Sequence, residues 1–324
     1  MAGLSADRPS EVVLAARVAR QFYLEGVSKV DIADRLGISR FRVARLLEGA
    51  REAGMVRIEI GLPGGSLDAG LSAELCSAFG LEQAFVFNFP DDEQALLRRR
   101  LGEAAGQTLM DLIRPGDVVG MSWSRVLSGL AAALTQIPPC PIVQLTGAVP
   151  PPDGRDLLDL VRSVARIGGG PAHVFYAPMI LDDAQTAAAI RRQGDIAEAF
   201  ALVPSVTIAM VAIGAWAPGL STIYDALTPA ECDALAALGV RAEMAGVFIG
   251  EDGRPLATPL DGRMIVTPGP ALERIPFVLS VAYGVAKSTA VCAAIRGGLV
   301  HGLVTHASLA RALLSLADQR GTRR

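Results

Sequence analysis

The sequence predicts an α/β protein in which a small N-terminal helix-turn-helix domain precedes a larger domain built on a doubly wound, mostly parallel sheet. Residues 28–48 have the pattern of two short helices joined by a tight turn. After residue 66, predicted helices and strands alternate along the chain, which is typical of parallel sheets. Apolar residues make up 51% of the 324 residues, and such a composition is expected when both faces of a sheet are covered.

The first part of the chain is predicted to form a three-helix domain. An amphipathic helix is expected over residues 11–24 and can pack under the following pair. In that pair, Ala33 is small where the helices would cross, and Gly37 occupies the turn because glycine tolerates a positive φ. Ser39 follows as the expected cap of the second helix. This is the pattern of a helix-turn-helix whose second helix enters the DNA major groove; the alternative is an ordinary helical hairpin of an enzyme.

The side chains expected to contact DNA lie mainly at the start and outer face of this second helix. Arginine suits both phosphates and guanine edges, although a charged helix face is more ordinarily a solvated one. The first 60 residues carry ten basic and eight acidic side chains, a net charge of +2, against −5 for the remainder. The predicted DNA-binding residues are Lys29, Ser39, Arg40, Arg42, Val43 and Arg45.

A short strand and a hinge are predicted between the two domains. Residues 56–60 alternate in polarity as a strand does, and the glycine-rich run 61–65 is a hinge. We therefore place the first domain at residues 1–60, a linker at 61–66 and the second domain at 67–324.

The second domain is predicted to contain seven helices and eight strands. The helices are expected near residues 67–79, 93–113, 125–134, 156–167, 229–238, 286–296 and 307–317. The strands are expected near residues 84–88, 118–121, 142–145, 173–176, 206–213, 244–248, 277–281 and 302–304. In sheets of this kind, ligands bind beyond the C-terminal ends of the strands, so the loops there are the candidate binding loops.

Three such loops carry polar side chains. In the first, Ser122, Ser124 and Arg125 precede a predicted helix whose N-terminus favours a phosphate. The second contains Lys287, one of only two lysines in the chain, for which a surface position is the alternative. In the third, Thr146 is placed either to bond a sugar hydroxyl or to cap a turn.

Other classes of protein are disfavoured by the same sequence. Ser122, Asp225 and His306 follow the chain order of an α/β-hydrolase triad, but the nucleophile-elbow motif lacks its final glycine and no H-G-G-G precedes it. The four cysteines lie far apart without a C-x-x-C motif, which predicts reduced thiols, a cytoplasmic setting and no metal. The uncharged run 199–224 is interrupted by proline and glycine, which favours a buried strand over a membrane span.

Taken in order, the motifs resemble those of the SorC family of bacterial transcriptional regulators over almost the whole chain. In the first domain the resemblance rests on Ala33, Leu36-Gly37-Ile38-Ser39-Arg40, Val43-x-Arg45-Leu46-Leu47 and Gly54-Met55-Val56. In the second it rests on Gly116-Asp117-Val118-Val119-Gly120-x-Ser122-Trp123, Val143-Gln144-Leu145-x-Gly147, Ala177-Pro178, Gly284-x-x-Lys287 and Ala294-x-Arg296-Gly297-Gly298-Leu299. The chain departs from the family at Trp123-Ser124 and at Thr305-His306-Ala307, where members commonly have Trp-Gly and Thr-Asp-Glu.

The resemblance implies an effector domain similar to the folds of glucosamine-6-phosphate deaminase and ribose-5-phosphate isomerase. It also implies control by a sugar, a polyol or a sugar phosphate, and assembly into homodimers or homotetramers. We expect no cofactor. The family's phosphate or sugar loop corresponds to residues 122–125, and its later lysine to Lys287. The expected effector-binding residues are Ser122, Trp123, Ser124, Arg125, Thr146, Gly147, Asp225, Gly284 and Lys287.

The leading hypothesis is thus a cytoplasmic, non-enzymatic regulator that binds double-stranded operator DNA under the control of a carbohydrate-type effector, without a membrane partner. The alternative is a sugar-phosphate isomerase or deaminase with an appended helical domain. Such an enzyme needs a carboxylate base near the substrate carbons. Asp182, Asp183 and Asp225 are available in predicted loops, but the sequence offers no paired constellation.

Overall fold

A computed structural model describes residues 9–53, 55–56, 65–89, 94–149 and 158–321. Contacts divide the chain into two compact units, Met1–Gly61 and Leu62–Arg324. Residues 57–60 of the predicted strand and 61–64 of the predicted linker lie outside the described residues.

The first unit consists of three helices around a small apolar core. They are α1 (Pro9–Tyr23), α2 (Lys29–Leu36) and α3 (Arg40–Glu52). Gly37 ends α2 with φ +63°, and Ser39 begins α3 by accepting a bond from the Arg42 N–H at 3.2 Å. The structure thus confirms the predicted helix pair and its turn. The core consists of Ala15, Val18, Ala19, Ile32, Ala33, Val43, Leu46, Leu47 and Ala50.

The second unit alternates helices and strands around one sheet. Its helices are α4 (Ala69–Phe79), α5 (Gln94–Leu112), α6 (Leu130–Ala133), α7 (Leu158–Gly168), α8 (Ala184–Arg191), α9 (Gly194–Leu202), α10 (Thr222–Ala226), α11 (Pro229–Ala237), α12 (Gly269–Leu272), α13 (Ser288–Arg296) and α14 (Ala307–Gly321). Its strands are β1 (Ser66–Leu67), β2 (Gln83–Asn88), β3 (Val119–Met121), β4 (Ile142–Gln144), β5 (Ala172–His173), β6 (Ile208–Ala215), β7 (Ala242–Met244), β8 (Val247–Ile249), β9 (Phe277–Val281) and β10 (Gly302–His306). Short 3-10 turns occupy Leu127–Gly129, Val203–Ser205, Asp261–Arg263 and Val285–Lys287.

The strands form a mostly parallel sheet in the order β1-β2-β10-β9-β6-β3-β4-β5. Only β1 runs antiparallel in this path, and the β7–β8 hairpin pairs antiparallel with the end of β6. Alternate residues of β6 face opposite sides: Met210 joins one apolar cluster with α5 and α7, and Val211 joins another with α13 and α14. Helices therefore cover both faces, and the predicted doubly wound sheet is confirmed.

Several predicted elements differ from those observed. The strand expected at 244–248 is a hairpin, because the chain reverses at Ala245 (φ +52°) and Gly246 (φ +83°). The helix expected at 125–134 begins later, as a 3-10 turn followed by the four-residue α6. Helices α8, α9, α10 and α12 and strand β1 were not predicted, and β5 is shorter than expected.

The order in which strands are added to the sheet reverses between β3 and β6, although these two strands are parallel. From β3 the chain proceeds outward through β4 to β5, and it then returns to the other side of β3 with β6, followed by β9 and β10. In open α/β sheets the crevice at such a reversal is where ligands bind. The loops after β3, β6 and β9 are therefore the ones that should form a site.

Two glycines of α5 allow a neighbouring segment to approach very closely. A Cβ on Gly102 would lie 2.4 Å from the carbonyl oxygen of Val126, and one on Gly106 would lie 2.4 Å from that of Leu130. The segment that follows the loop after β3 thus rests directly on the α5 backbone. Its position depends on the absence of side chains at these two positions.

We predict that Gly102→Ala destabilises the second unit, because the added methyl group overlaps a backbone carbonyl that cannot move without shifting the 3-10 turn. The free energy of unfolding should fall by about 1–3 kcal/mol, as overpacking does elsewhere, and urea denaturation would measure it. Gly194→Ala is the matched control: Gly194 opens α9, and a Cβ there has no neighbour within 4 Å. Equal stabilities of the two variants would contradict the prediction.

Candidate functional site

The residues predicted to contact DNA are, with one exception, accessible in the first unit. Lys29, Ser39, Arg40, Arg42 and Arg45 are all exposed. Val43 is fully buried in the helical core. The prediction that Val43 contacts DNA is therefore wrong, because it lies on the face of α3 that packs against α1 and α2.

One exposed residue of α3 was missed by the sequence analysis. Phe41 is 68% exposed, and the Arg40 guanidinium lies 5.0 Å from the centre of its ring. The signal was present in the sequence, since an aromatic residue two positions before the buried Val43 cannot share its helix face.

In the second unit, loops from three strands and the β7–β8 hairpin enclose a narrow cleft at the reversal of the sheet. We call it the effector cleft. Its polar lining comes from Ser124, Arg125, Ser221, Thr222, Glu243, Tyr283 and Lys287. Its apolar lining includes Trp123, Val126, Val149, Met179, Leu220, Ile223 and Val281.

Lys287 is the buried cation of this cleft. It lies in the 3-10 turn after β9, and its Nζ donates to the carbonyl oxygen of Ile213 at 3.0 Å. The same ammonium group lies 4.7 Å from the centre of the Tyr283 ring. Burial lowers the pKa of Lys287 from 10.5 to about 8, although the negative charge of Glu243 partly opposes the shift. The predicted surface alternative for this lysine is therefore wrong.

Glu243 is a buried acid that the sequence analysis did not single out. Its Oε1 accepts a bond from the Ser221 hydroxyl at 3.0 Å, and burial raises its pKa. A Cβ on Gly214, its partner across the β6–β7 ladder, would lie 2.2 Å from Oε1. Gly214 thus leaves the space that the carboxyl group occupies. A lone acid within the apolar run 242–249 was the available signal.

At the rim of the cleft, Arg125 and Asp225 form a loose ion pair. The Arg125 guanidinium lies 3.8 Å from Asp225 Oδ2, and Asp225 Oδ1 accepts the Gly219 N–H at 2.7 Å. Both side chains keep about a third of their surface exposed. They are therefore available to a ligand that enters from solvent.

Five predicted effector residues do not line the cleft. Asp225 lies beside it, paired with Arg125, and the other four have structural contacts. Thr146 is fully buried and accepts the Trp123 N–H at 2.9 Å, which ties the loops after β3 and β4 together. Gly147 passes close to the chain at Pro178, where a Cβ would lie 2.7 Å from a carbonyl oxygen. Ser122 is buried, and Gly284 adopts φ +85°.

The N–H groups of the loop after β3 are largely occupied. The N–H of Ser122 donates to Met210, that of Trp123 to Thr146, and that of Val126 to the Ser124 hydroxyl at 3.3 Å. The helix expected to begin here is also delayed. The structure therefore does not support the predicted phosphate cradle of backbone N–H groups, and charged side chains are the main polar groups that face the cleft.

His306 supports a loop of the cleft. Its Nε2 accepts the Gly284 N–H at 3.0 Å, and burial lowers its pKa. Asp225 is engaged with Gly219 and Arg125, and no hydrogen-bond partner reaches the Ser122 hydroxyl among the described residues. The hydrolase triad considered from the sequence is therefore not assembled.

Comparison with known proteins assigns the chain to a family. A family model described as "Putative sugar-binding domain" matches residues 66–315. The transcriptional regulator LsrR of Klebsiella pneumoniae is 31% identical over 321 residues, which cover 95% of each chain. The chain belongs to the SorC family of sugar-binding transcriptional regulators.

Further relatives of this SorC-family regulator are named for the operons or pathways that they control. The sorbitol operon regulator of Klebsiella pneumoniae is 25% identical and covers 95% of this chain and 99% of its own length. The erythritol catabolism regulatory protein EryD of Brucella abortus is 26% identical, and the match covers 93% of this chain and 96% of EryD. The crystal structure of full-length SorC from Klebsiella pneumoniae has a TM-score of 0.71 at 23% identity, over 95% of this chain and all of that one, which shows a shared fold.

The cleft of this SorC-family regulator combines hydrogen-bond donors and acceptors in a partly desolvated space. Lys287 and Arg125 donate, whereas Asp225 and Glu243 accept, and Glu243 can also donate when it is protonated. Trp123 and Tyr283 add aromatic surface. A small number of polar groups in an otherwise apolar cleft is the usual composition of a site for a small ligand.

We predict that Lys287 makes stability depend on alkaline pH. Between pH 8 and 10.5 the lysine is neutral in the folded state and still protonated in the unfolded state. Because the unfolded state then binds more protons, the free energy of unfolding should rise with pH, by at most about 1.4 kcal/mol per pH unit. As the pH falls from 10.5 to about 8, this added free energy of unfolding is lost, and below the folded pKa of about 8 Lys287 contributes no pH dependence.

Urea denaturation from pH 7 to 10 would measure this dependence, with Lys287→Gln lacking it. The other lysine, Lys29, is exposed, so Lys29→Gln is the matched control and should keep the wild-type slope. The same slope for wild type and Lys287→Gln would show that Lys287 keeps an ordinary pKa.

Proposed function

We propose that α3 reads operator DNA and that the effector cleft binds a sugar, a polyol or a sugar phosphate that controls this binding. The observation that supports the effector site is the convergence of Lys287, Glu243 and Arg125 in one cleft, with Asp225 paired to Arg125 at its edge. These residues come from four separate parts of the chain and meet near β3 and β6, where the strand order reverses. The sorbitol and erythritol names of two relatives favour a polyhydroxylated ligand.

A polyhydroxylated compound suits the chemistry of the cleft. Each hydroxyl both donates and accepts, so neighbouring hydroxyls can bond a cation and a carboxylate side by side. Lys287 and Glu243 would meet the part of the ligand that enters most deeply. Arg125, at the exposed rim, would meet a phosphate where the ligand carries one, since guanidinium groups bind phosphate in a bidentate manner.

On the DNA side, the exposed arginines of α3 supply two kinds of contact. Contacts with phosphates give affinity that falls with salt and carries no sequence preference. Bidentate contacts with guanine edges specify sequence. A homodimer or homotetramer would pair two copies of α3, so that operator half-sites lie one or a few helical turns apart. We place this activity in the cytoplasm, with the DNA.

Control by the effector requires that the ligand bind one conformation of the regulator more tightly than another. The cleft offers such a difference, because Lys287 and Ser221 connect its buried polar groups to β6 and α10. A ligand that takes over these bonds would change the restraints on both elements. We propose that the change passes to the first unit through residues 61–66.

We propose a binding role without turnover for the cleft, although a buried acid beside a buried lysine is also compatible with proton transfer. A thermal-shift screen over sugars, polyols and their phosphates identifies the ligand class. The compounds that bind are then incubated with the regulator and analysed by NMR. Steady conversion at ordinary enzyme rates would overturn the proposal in favour of an isomerase or deaminase.

For DNA binding, we predict that Arg42→Ala combined with Arg45→Ala weakens operator binding by roughly 30-fold or more, since each lost base contact is worth about 1–3 kcal/mol. Fluorescence anisotropy with a selected operator duplex would measure it. Arg166→Ala, on an exposed position of α7, is the matched control and should bind normally. Unchanged affinity of the double variant would show that another surface binds DNA.

For the effector, we predict that Arg125→Ala and Lys287→Gln each weaken binding by roughly tenfold or more, because each removes a charge-assisted hydrogen bond. Calorimetric titration with the compound identified in the screen would measure the loss. Arg166→Ala is again the control, and both cleft variants should still bind operator DNA. Full effector affinity in both would place the ligand elsewhere.

A further inference from the structure

The outward face of α3 carries an aromatic side chain among arginines. With about 100° of rotation per residue, Phe41 and Arg45 both lie nearly opposite the buried Val43. They are four residues apart and thus neighbours on one face. Phe41 is 68% exposed, whereas Val43, Leu46, Leu47 and Ala50 are at most 4% exposed. The outward face of α3 therefore includes a large apolar ring.

Because Phe41 is exposed, it does not stabilise the first unit by burying its ring. The core of that unit is complete without it. The Arg40 guanidinium lies 5.0 Å from the ring centre, and this interaction orients the ring without burying it. Phe41 is the second residue of α3, in the turn that contacts base edges in helix-turn-helix proteins.

We infer that Phe41 reads a thymine in the operator by packing its ring against the 5-methyl group. This inference rests on the proposed role of α3. In the major groove, the thymine methyl is the apolar feature that distinguishes T·A from the other base pairs, and phenylalanine is among the residues that contact it. Arg40, Arg42 and Arg45 are exposed on the same helix and give it positive charge, which matches a groove bordered by phosphates. The occupant of this apolar position is thus a base edge.

The inference separates two roles on one helix. The arginines can contact phosphates at any sequence, so they provide affinity more readily than discrimination. Phe41 gains contact area only where a methyl group is present. A half-site should therefore contain one thymine whose methyl group contributes to binding, even though its hydrogen-bonding groups do not.

Replacing thymine by 2′-deoxyuridine tests this directly, since uracil lacks only the methyl group. An operator duplex is first selected from a randomised pool with the full-length wild-type chain. Each thymine is then replaced singly and in symmetric pairs, and binding is measured by fluorescence anisotropy. At one position per half-site, wild-type affinity should fall about fourfold, the value for one buried methyl-sized group, and by more than tenfold when both half-sites are changed.

The variant Phe41→Ala should bind the thymine and uracil duplexes equally. Leu24→Ala removes another exposed apolar side chain, one outside α3 with 81% exposure, and should keep the wild-type ratio. Thermal unfolding and the oligomeric state of Phe41→Ala should match wild type, because the ring is not part of the core.

Wild-type binding that is insensitive to uracil at every position would overturn the inference. A ratio that persists in Phe41→Ala would also overturn it, since another residue would then contact the methyl group. Loss of the oligomeric state in Phe41→Ala would assign the ring to contact with a second copy instead. Failure of the wild-type chain to select any duplex would overturn the proposed function and this inference with it.

Discussion

The burial of two ionisable side chains in one cleft constrains much of the second unit. Lys287 and Glu243 are each at most 8% exposed, and a buried charge is costly unless it is paired and hydrogen-bonded. The chain supplies partners from elements far apart in sequence: the Ile213 carbonyl for the lysine, and the Ser221 hydroxyl for the acid. Each of these hydrogen bonds fixes a loop. Lys287 and Glu243 therefore also hold the walls of the cleft in place.

The length of β6 makes this arrangement possible. Its first five residues pair with β9, and its last three extend beyond that ladder to pair with β7. The extension carries the β7–β8 hairpin over the C-terminal edge of the sheet, where it brings Glu243 opposite Gly214. A Cβ at position 214 would overlap the carboxyl group and the Ser221 side chain, which glycine avoids. A sheet whose strands all ended together would have no wall on this side of the cleft.

Local patterns predicted most of the scaffold, whereas contacts between distant segments decided most of the site. Gly37 and Ser39 act within one turn of chain, so their roles in the helix pair could be predicted and are observed. Val43 could have been predicted as buried, because the helical period places it on the same face as Leu46 and Ala50. Glu243 depends on the register between β6 and β7, which no local pattern specifies.

The same distinction explains why some residues expected from the sequence to bind the effector do not line the cleft in the structure. Thr146 and Gly284 follow strand ends, as ligand residues do, yet one accepts the Trp123 N–H and the other donates to His306. A position after a strand end is therefore not a sufficient criterion for a ligand residue. Whether a polar atom faces the cleft depends on which neighbours already satisfy it, and that requires the packed structure.

The energetics of the cleft suit a regulator whose ligand must shift a conformational equilibrium. At neutral pH most Lys287 side chains are charged, because the pKa of about 8 still lies above that pH, so the desolvation of the ammonium group is present before any ligand binds. A ligand whose hydroxyl or phosphate oxygens bond the Lys287 ammonium group reduces its desolvation free energy. That gain exists only in the conformation that buries Lys287. Binding then stabilises one conformation over another, and that difference is what effector control requires. A fully solvated site would bind the same ligand with little preference between conformations.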